Sequence, residues 1–461
     1  MRQVFPQHSS CAVETQTEFR NEAGFLNILF RELDKNDVRY CVLHSWDDLL
    51  HQRLSDDLDL AVHPGDVDKF PSVFQHLHDR GYSPVQCVNY AVNAYAFTFS
   101  WLQGNEISFA ILDICFEHRA GGLIAPASET LVRARSKQGI FWVASPAAEF
   151  RYLLAKNANK GWLSTQQANR LSALVKQLGR TKAEGIANEL FGRCAGRNAV
   201  EACASLSINE LLGRLRRRTW ITSLTRHPFE LARYMFEEGV RVARRWLYPT
   251  GMFLVILGPD GSGKTTLAEQ LIDRLKPAFR RQHLAHWRPG FLGRGPSVEV
   301  VTNPHGSRPR GRVASAAHLL AFFLDDLLGY YVMIRPLLAR TALVVFDRYF
   351  QDVIVDPKRY RYGGPAWLPR LLVRFVPPQE KLLLVLDAPE GVIFSRKSEV
   401  TPQEVCRQRQ DYRCLAIDYP GTSRVLMTDQ GLQATLAQAL EVAVAYLADR
   451  FKYQHTRWLV P

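Results

Sequence analysis

The segment Gly258-Pro259-Asp260-Gly261-Ser262-Gly263-Lys264-Thr265-Thr266 constrains this chain more than any other feature. An apolar run, Phe253–Leu257, precedes it, and a helical pattern from Thr265 to Leu275 follows. In that strand–loop–helix setting the glycines let successive backbone N–H groups converge on a β-phosphate without a Cβ clash. Lys264 can span the β- and γ-phosphates, Thr265 can give its hydroxyl to Mg²⁺, and the helix N-terminus adds a positive dipole. The site expected here is for ATP and Mg²⁺, bound through Gly258, Asp260, Gly261, Ser262, Gly263, Lys264, Thr265 and Thr266. A glycine-rich turn that binds nothing would have no need of this setting.

Two further elements fit the same chemistry. Ala342–Phe346 is an apolar run that ends in Asp347-Arg348-Tyr349. A carboxylate at the C-terminal end of a neighbouring parallel strand would lie beside the loop, within reach of Mg²⁺. Arg348 would then aim its fork at a phosphate on the acceptor. After another strand, Leu382–Leu386 with Asp387, comes a cationic segment that reads as one helix from Ser395 through Arg396, Lys397, Arg407, Arg409, Tyr412 and Arg413. As a lid it would bring Arg396, Lys397, Arg407 and Arg409 over the γ-phosphate. The expected catalytic set is Lys264, Asp347, Arg348, Arg396 and Arg407.

Texture divides the 461 residues into 15–127, 128–247 and 252–450. The first part mixes a helical pattern, Glu18–Leu33, with β-like runs at Tyr40–Leu43, Leu58–Val62, Ala94–Trp101 and Ile107–Cys115. The second is mostly helix-period material. In the third, strand candidates at Phe253–Leu257, Ala342–Phe346, Leu382–Leu386 and Arg424–Met427 are spaced by helices. That alternation implies an α/β fold, a parallel sheet with helices on both faces.

On the residues just quoted, the stretch from Met252 to Ala448 resembles the thymidylate kinase family. Gly258–Thr266, the Asp347-Arg348-Tyr349 triplet and the cationic lid with its tyrosine all match that pattern. The resemblance implies a P-loop NTPase fold and phosphoryl transfer from ATP to a nucleoside monophosphate or another sugar- or phosphate-bearing acceptor. It also implies that Asp260 lies near the acceptor's sugar. Departures occur on the acceptor side. Phe322 stands where the family stacks a phenylalanine on thymine, but Asp326 stands where an arginine reads the base. His286-Trp287-Arg288-Pro289-Gly290 only faintly echoes the family's loop, and Asp352 replaces its usual serine.

In the N-terminal part, Asp57 and Asp59 of Ser55–Val62 share one face of a strand, and Asp113 sits in another strand, Ile107–Cys115. Three convergent acids are how two metal ions are held for attack on an α-phosphate. Over about Phe19–Glu117 the pattern resembles a minimal nucleotidyltransferase, an α+β domain with 128–247 as helical extension and connector. That resemblance assigns metal binding to Asp57, Asp59 and Asp113. The Gly-Ser turn such enzymes place before the acids reads Leu43-His44-Ser45-Trp46, so a degenerate substrate-binding domain is the alternative.

The net charge of +13 suits anionic ligands, and it is uneven. Arginines crowd 214–245, interleaved with Trp220, Phe229, Tyr234, Phe236 and Trp246. This reads as a solvated connector, or as a patch for anionic lipid, a polyanionic glycan or, least expected, nucleic acid. A nucleotide-gated binding module is therefore a second functional reading. The dispersed cysteines and the start Met-Arg-Gln-Val-Phe-Pro fit a cytoplasmic protein. Ala316–Ile334, interrupted by His318, Asp325 and Asp326, is expected to be a buried globular helix. The oligomeric state is open, a dimer included.

Overall fold

The computed structural model describes residues 20–44, 46–54, 57–103, 106–120, 123–291, 305–378, 381–396 and 401–458, with the side chains of 118–126 and 453–458 excepted. Ser45, Ser55, Asp56 and Lys397 lie outside the described residues. The chain forms two compact units. One runs to Ala243 and takes the C-terminal end from Arg450; the other runs from Arg244 to Asp449 and takes 105–107.

The N-terminal unit is built on a mixed seven-stranded sheet of order β3-β4-β5-β2-β1-β9-β8. Its strands are β1 (Tyr40–Val42), β2 (Leu58–Val62), β3 (Ser83–Ala91), β4 (Ala94–Gln103), β5 (Glu106–Cys115), β8 (Arg135–Gln138) and β9 (Phe141–Ala144). A separate ribbon pairs β6 (Glu117–Ala120) with β7 (Leu123–Ala127). Side chains alternate across the pleat, and here both faces are apolar. Tyr40 and Val42 join a core with Phe25 and Phe30 of the helix Glu22–Lys35, while Cys41 and Leu43 join a second core with Phe150 and Leu154. Phe150 and Leu154 belong to the helix Pro146–Lys160, which starts on an N-cap from Ser145 with a proline at its first position. The helices from 146 to 204 therefore cover the second sheet face of this same unit. The helix Pro228–Leu247 buries none of its residues and leaves Phe229 and Phe236 exposed.

The C-terminal unit carries a five-stranded sheet of order β11-β12-β10-β13-β14, parallel throughout. The strands are β10 (Met252–Leu257), β11 (Arg281–His286), β12 (Ala342–Asp347), β13 (Leu382–Asp387) and β14 (Ser423–Met427). Every residue of β10, β12 and β13 is buried, because helices flank both faces of a parallel sheet. The α/β class read from the sequence is the class observed. β11 carries no apolar run; it is an edge strand whose side chains are largely exposed.

Two expectations change. The helix Arg312–Gly329 is buried on one side only: Leu319, Asp325 and Asp326 face inward, and Leu320, Leu324 and Leu328 are exposed. By length and composition Arg312–Ala339 could cross a membrane, but its inward face carries two buried aspartates. The lid is not one helix. It divides into Glu390–Arg396 and Pro402–Ile417, the second capped by Thr401, whose side chain accepts from Glu404 N. All described cysteines are free thiols.

Candidate active site

The loop after β10 adopts the backbone its glycines permit. Gly258, Gly261 and Gly263 have φ of 148°, 83° and 91°, and a Cβ on Gly258 would lie 2.5 Å from the Leu386 carbonyl oxygen. The loop leads directly into the helix Lys264–Leu275, whose first N–H groups have no partner within the helix. Lys264 is buried, and its Nζ donates to the Gly258 and Pro259 carbonyls at 2.9 and 2.8 Å. Burial, and next the nearby Arg348, bring its pKa down to about 8.

Asp347 ends β12 opposite Ile256 of β10. Thr265 Oγ1 donates to Asp347 Oδ2 across 2.6 Å, and His286 Nδ1 stands 3.5 Å from the same oxygen. Burial alone would raise this carboxyl; the His286 contact and the Lys264 charge overcome it and hold the pKa at about 2. Asp347 Oδ1 is buried and has no hydrogen-bond partner among the described residues. A charged carboxylate with one oxygen on the threonine hydroxyl and the other uncompensated fits a divalent cation.

The next residue, Arg348, has φ of 71° and is buried. Its Nη1 donates to Asp352 Oδ2 at 2.5 Å and its Nη2 to Asp260 Oδ1. Asp260 also accepts from Arg359 Nη1, and Lys264 Nζ lies 3.6 Å away. Burial works against ionisation of Asp260, and the charges of Arg348, Lys264 and Arg359 more than reverse it, so its pKa lies far below the usual range. Asp352 is fully buried and accepts from Arg348, from the Tyr360 hydroxyl at 2.7 Å and from the Tyr412 hydroxyl. A serine could not receive three donors in this way. In this structure the Arg348 fork is thus filled by two carboxylates, and the only Asp260 contacts among the described residues are cationic.

Beside this network stands an aromatic group. Trp287, following β11, stacks on Tyr360 with ring centroids 4.8 Å apart and meets Phe322 edge-on, also at 4.8 Å. The Arg288 guanidinium lies 5.1 Å from the Trp287 ring and 5.4 Å from Phe322. Asp325 positions that loop, accepting from Gly290 N at 3.1 Å with Arg288 Nη1 3.8 Å away. Phe322, His318, Tyr360, Tyr362 and Arg310 line a narrow cleft beside this group. Asp326 is buried and charge-coupled to Asp325 and Lys381; the guanidinium near Phe322 comes instead from Arg288.

The lid cations divide. Arg409 and Arg413 hold Asp387 at the end of β13, with Nε to carboxylate distances of 2.6 and 2.7 Å. Arg396 donates to Thr428, and Arg407 donates to Glu404, Asp411 and the Val355 carbonyl. No described contact joins Arg396 or Arg407 to the phosphate loop. Arg359 and Tyr360 were not singled out in the sequence, where only the Asp-Arg-Tyr triplet nearby gave a signal, and His286 and Asp387 appeared only within the motif segments, without a role of their own.

The chain is 34% identical to the thymidylate kinase of Xanthomonas euvesicatoria pv. vesicatoria (strain 85-10) over 218 residues, 44% of this chain and 88% of that protein. The chain belongs to the thymidylate kinase family. Among other members of the family, the thymidylate kinase of Xanthomonas campestris pv. campestris (strain B100) is 32% identical over 220 residues, 45% of this chain and 88% of that one. The thymidylate kinase of Xylella fastidiosa (strain M12) is 28% identical over 218 residues, 44% and 92%. A solved thymidylate kinase from Ehrlichia chaffeensis overlaps 41% of this chain and 97% of its own at a TM-score of 0.29 and 18% identity, too slight a likeness to carry weight. No family model matches the sequence. Membership makes the chain a phosphotransferase of nucleotide-kinase type.

In the N-terminal unit, Asp59 and Asp113 are register partners on the parallel strands β2 and β5. Asp57 lies just before β2 and is exposed. Asp59 Oδ2 is 2.9 Å from His44 Nε2, and Asp59 Oδ1 accepts from Lys156 Nζ at 3.3 Å. Burial would raise the Asp59 carboxyl, but Lys156 and His44 drive it far below the usual range.

Proposed function

We propose that the C-terminal unit transfers the γ-phosphoryl group of ATP to a nucleoside monophosphate. The observation that carries this is the Thr265–Asp347 contact at the mouth of the glycine loop, one residue from Arg348. Thr265 and Asp347 would hold Mg²⁺, which would supply positive charge to the phosphates of the donor. Lys264 would leave the Gly258 and Pro259 carbonyls for the phosphates, and the loop's N–H groups would receive the β-phosphate. Arg348 and Arg359 would exchange Asp260 for the acceptor's phosphate, a better match to two guanidinium forks. Trp287, Phe322 and Tyr360 supply stacking surface for a planar base, and Arg288 a donor at its edge. Arg409 and Arg413 are better placed than Arg396 and Arg407 to serve the transferring group, because Asp387 holds them beside the loop strand.

The test is ADP release by the full chain against a panel of nucleoside monophosphates, thymidylate first, and phosphorylated sugars. If no acceptor raises ADP release above that of Lys264→Ala, the proposal fails.

A second reading, a nucleotide-gated module that grips a membrane or polymer, draws on the unburied helix Pro228–Leu247. It requires ATP-dependent binding to anionic vesicles without phosphate transfer, and the binding should weaken with salt.

A further inference from the structure

The Asp59–Asp113 pair has the placement of a divalent-metal site, but its contacts are those of a site already neutralised. A metal ion bound there would need Asp59 oxygens at about 2.0–2.6 Å. Both are engaged, Oδ2 by His44 and Oδ1 by Lys156. Lys156 Nζ also lies 3.2 Å from His44 Nε2, so the two nitrogens close over the carboxylate together. The ammonium is not a chance visitor from a distant loop. It stems from the helix Pro146–Lys160, which packs on this sheet face, one turn after the buried Tyr152. The Tyr152 ring supports it at 5.2 Å and stacks against His44. A doubly charged ion on Asp59 would sit within a few ångströms of that ammonium, with little water to screen the repulsion.

We infer that Lys156 takes the place of the divalent metal in the N-terminal unit, so that Asp59 and Asp113 bind no metal ion and the unit transfers no nucleotidyl group. The cation that the acids require is part of the chain. The inference is independent of the kinase reading, which concerns the other unit.

The test is Mn²⁺ titration of the full chain without nucleotide, followed by electron paramagnetic resonance. Asp59→Asn separates ions bound here from any bound at Thr265 and Asp347. Wild type and Asp59→Asn should bind the same amount of Mn²⁺. Lys156→Met should gain about one equivalent, because His44, Asp59 and Asp113 then form an ordinary nitrogen and oxygen ligand set. The double variant Lys156→Met with Asp59→Asn should lose it again. Mn²⁺ bound by wild type and abolished by Asp59→Asn would overturn the inference. So would Lys156→Met that folds, as judged by circular dichroism, yet gains no ion. If Lys156→Met does not fold, Lys156→Gln serves in its place, and the comparison of wild type with Asp59→Asn stands in either case.

Discussion

Thr265 and Asp347, far apart in sequence, share one hydrogen across 2.6 Å where the glycine loop meets the end of the adjacent strand. Replacing Asp347 by Asn keeps the shape but removes the charge for Mg²⁺. Turnover should fall by about 100-fold or more, and the Mg²⁺ concentration for half-maximal rate should rise. A magnesium titration of the variant checks both, and an unchanged half-maximal concentration would remove Asp347 from the metal site.

Lys264, with its pKa held near 8 by burial, should take up a proton when a triphosphate arrives. The anion favours the ammonium, so the bound-state pKa rises. Uptake should be roughly half a proton at pH 8 and about a tenth at pH 7. Calorimetry of ATP binding in buffers of different ionisation enthalpy measures it directly. Lys264→Met should abolish the uptake.

Asp352 receives donors from three directions in a fully buried position. Asp352→Asn puts an amide group where only acceptors fit and leaves Arg348 undercompensated. A loss of about 3 kcal/mol is expected, read by urea unfolding of the full chain. Asp352→Ser, the family's usual residue, should leave Arg348 less constrained and raise KM for the acceptor more than KM for ATP.

Asp326 is a buried acid: burial first, and the neighbouring Asp325 second, push its pKa well above the carboxylate value. A raised native pKa gives stability below the unfolded value near 4 and loses it as pH rises. Asp326→Asn has no such dependence. Its stability relative to wild type should therefore improve from pH 4 upward, by at most about 1.4 kcal/mol per unit. Thermal unfolding at pH 4.5 and pH 7 tests the sign, which a gap constant in pH would contradict.

Much of this was legible in the sequence because the physics is local. β10, β12 and β13 read as strands since burial on both faces demands unbroken apolar runs, and the glycine spacing dictates the loop's backbone. β11 was invisible because an edge strand can be polar: Arg281–His286 has the composition of a loop. The lid's division at Thr401-Pro402 could have been read, since a threonine N-cap before proline starts a helix. The source of the guanidinium at Phe322 could not. A helical pattern says that Asp325 and Asp326 point about 100° apart, but not that Arg288, from a loop after a distant strand, fills the space. Nor does a D-x-D pattern reveal a lysine about a hundred positions later, because that contact depends on a helix docking onto the sheet.

The two arginines on Asp260 have a consequence for selectivity. An incoming ligand does not enter an empty socket; it must evict a resident carboxylate tethered at high local concentration. A neutral hydroxyl or a lone monoanion competes poorly with such an incumbent. A phosphate monoester, carrying close to two charges on three oxygens at neutral pH, can win both forks at once. On the proposed kinase reading Asp260 would thus act as a threshold, sorting candidate acceptors by charge before the aromatic walls sort them by shape.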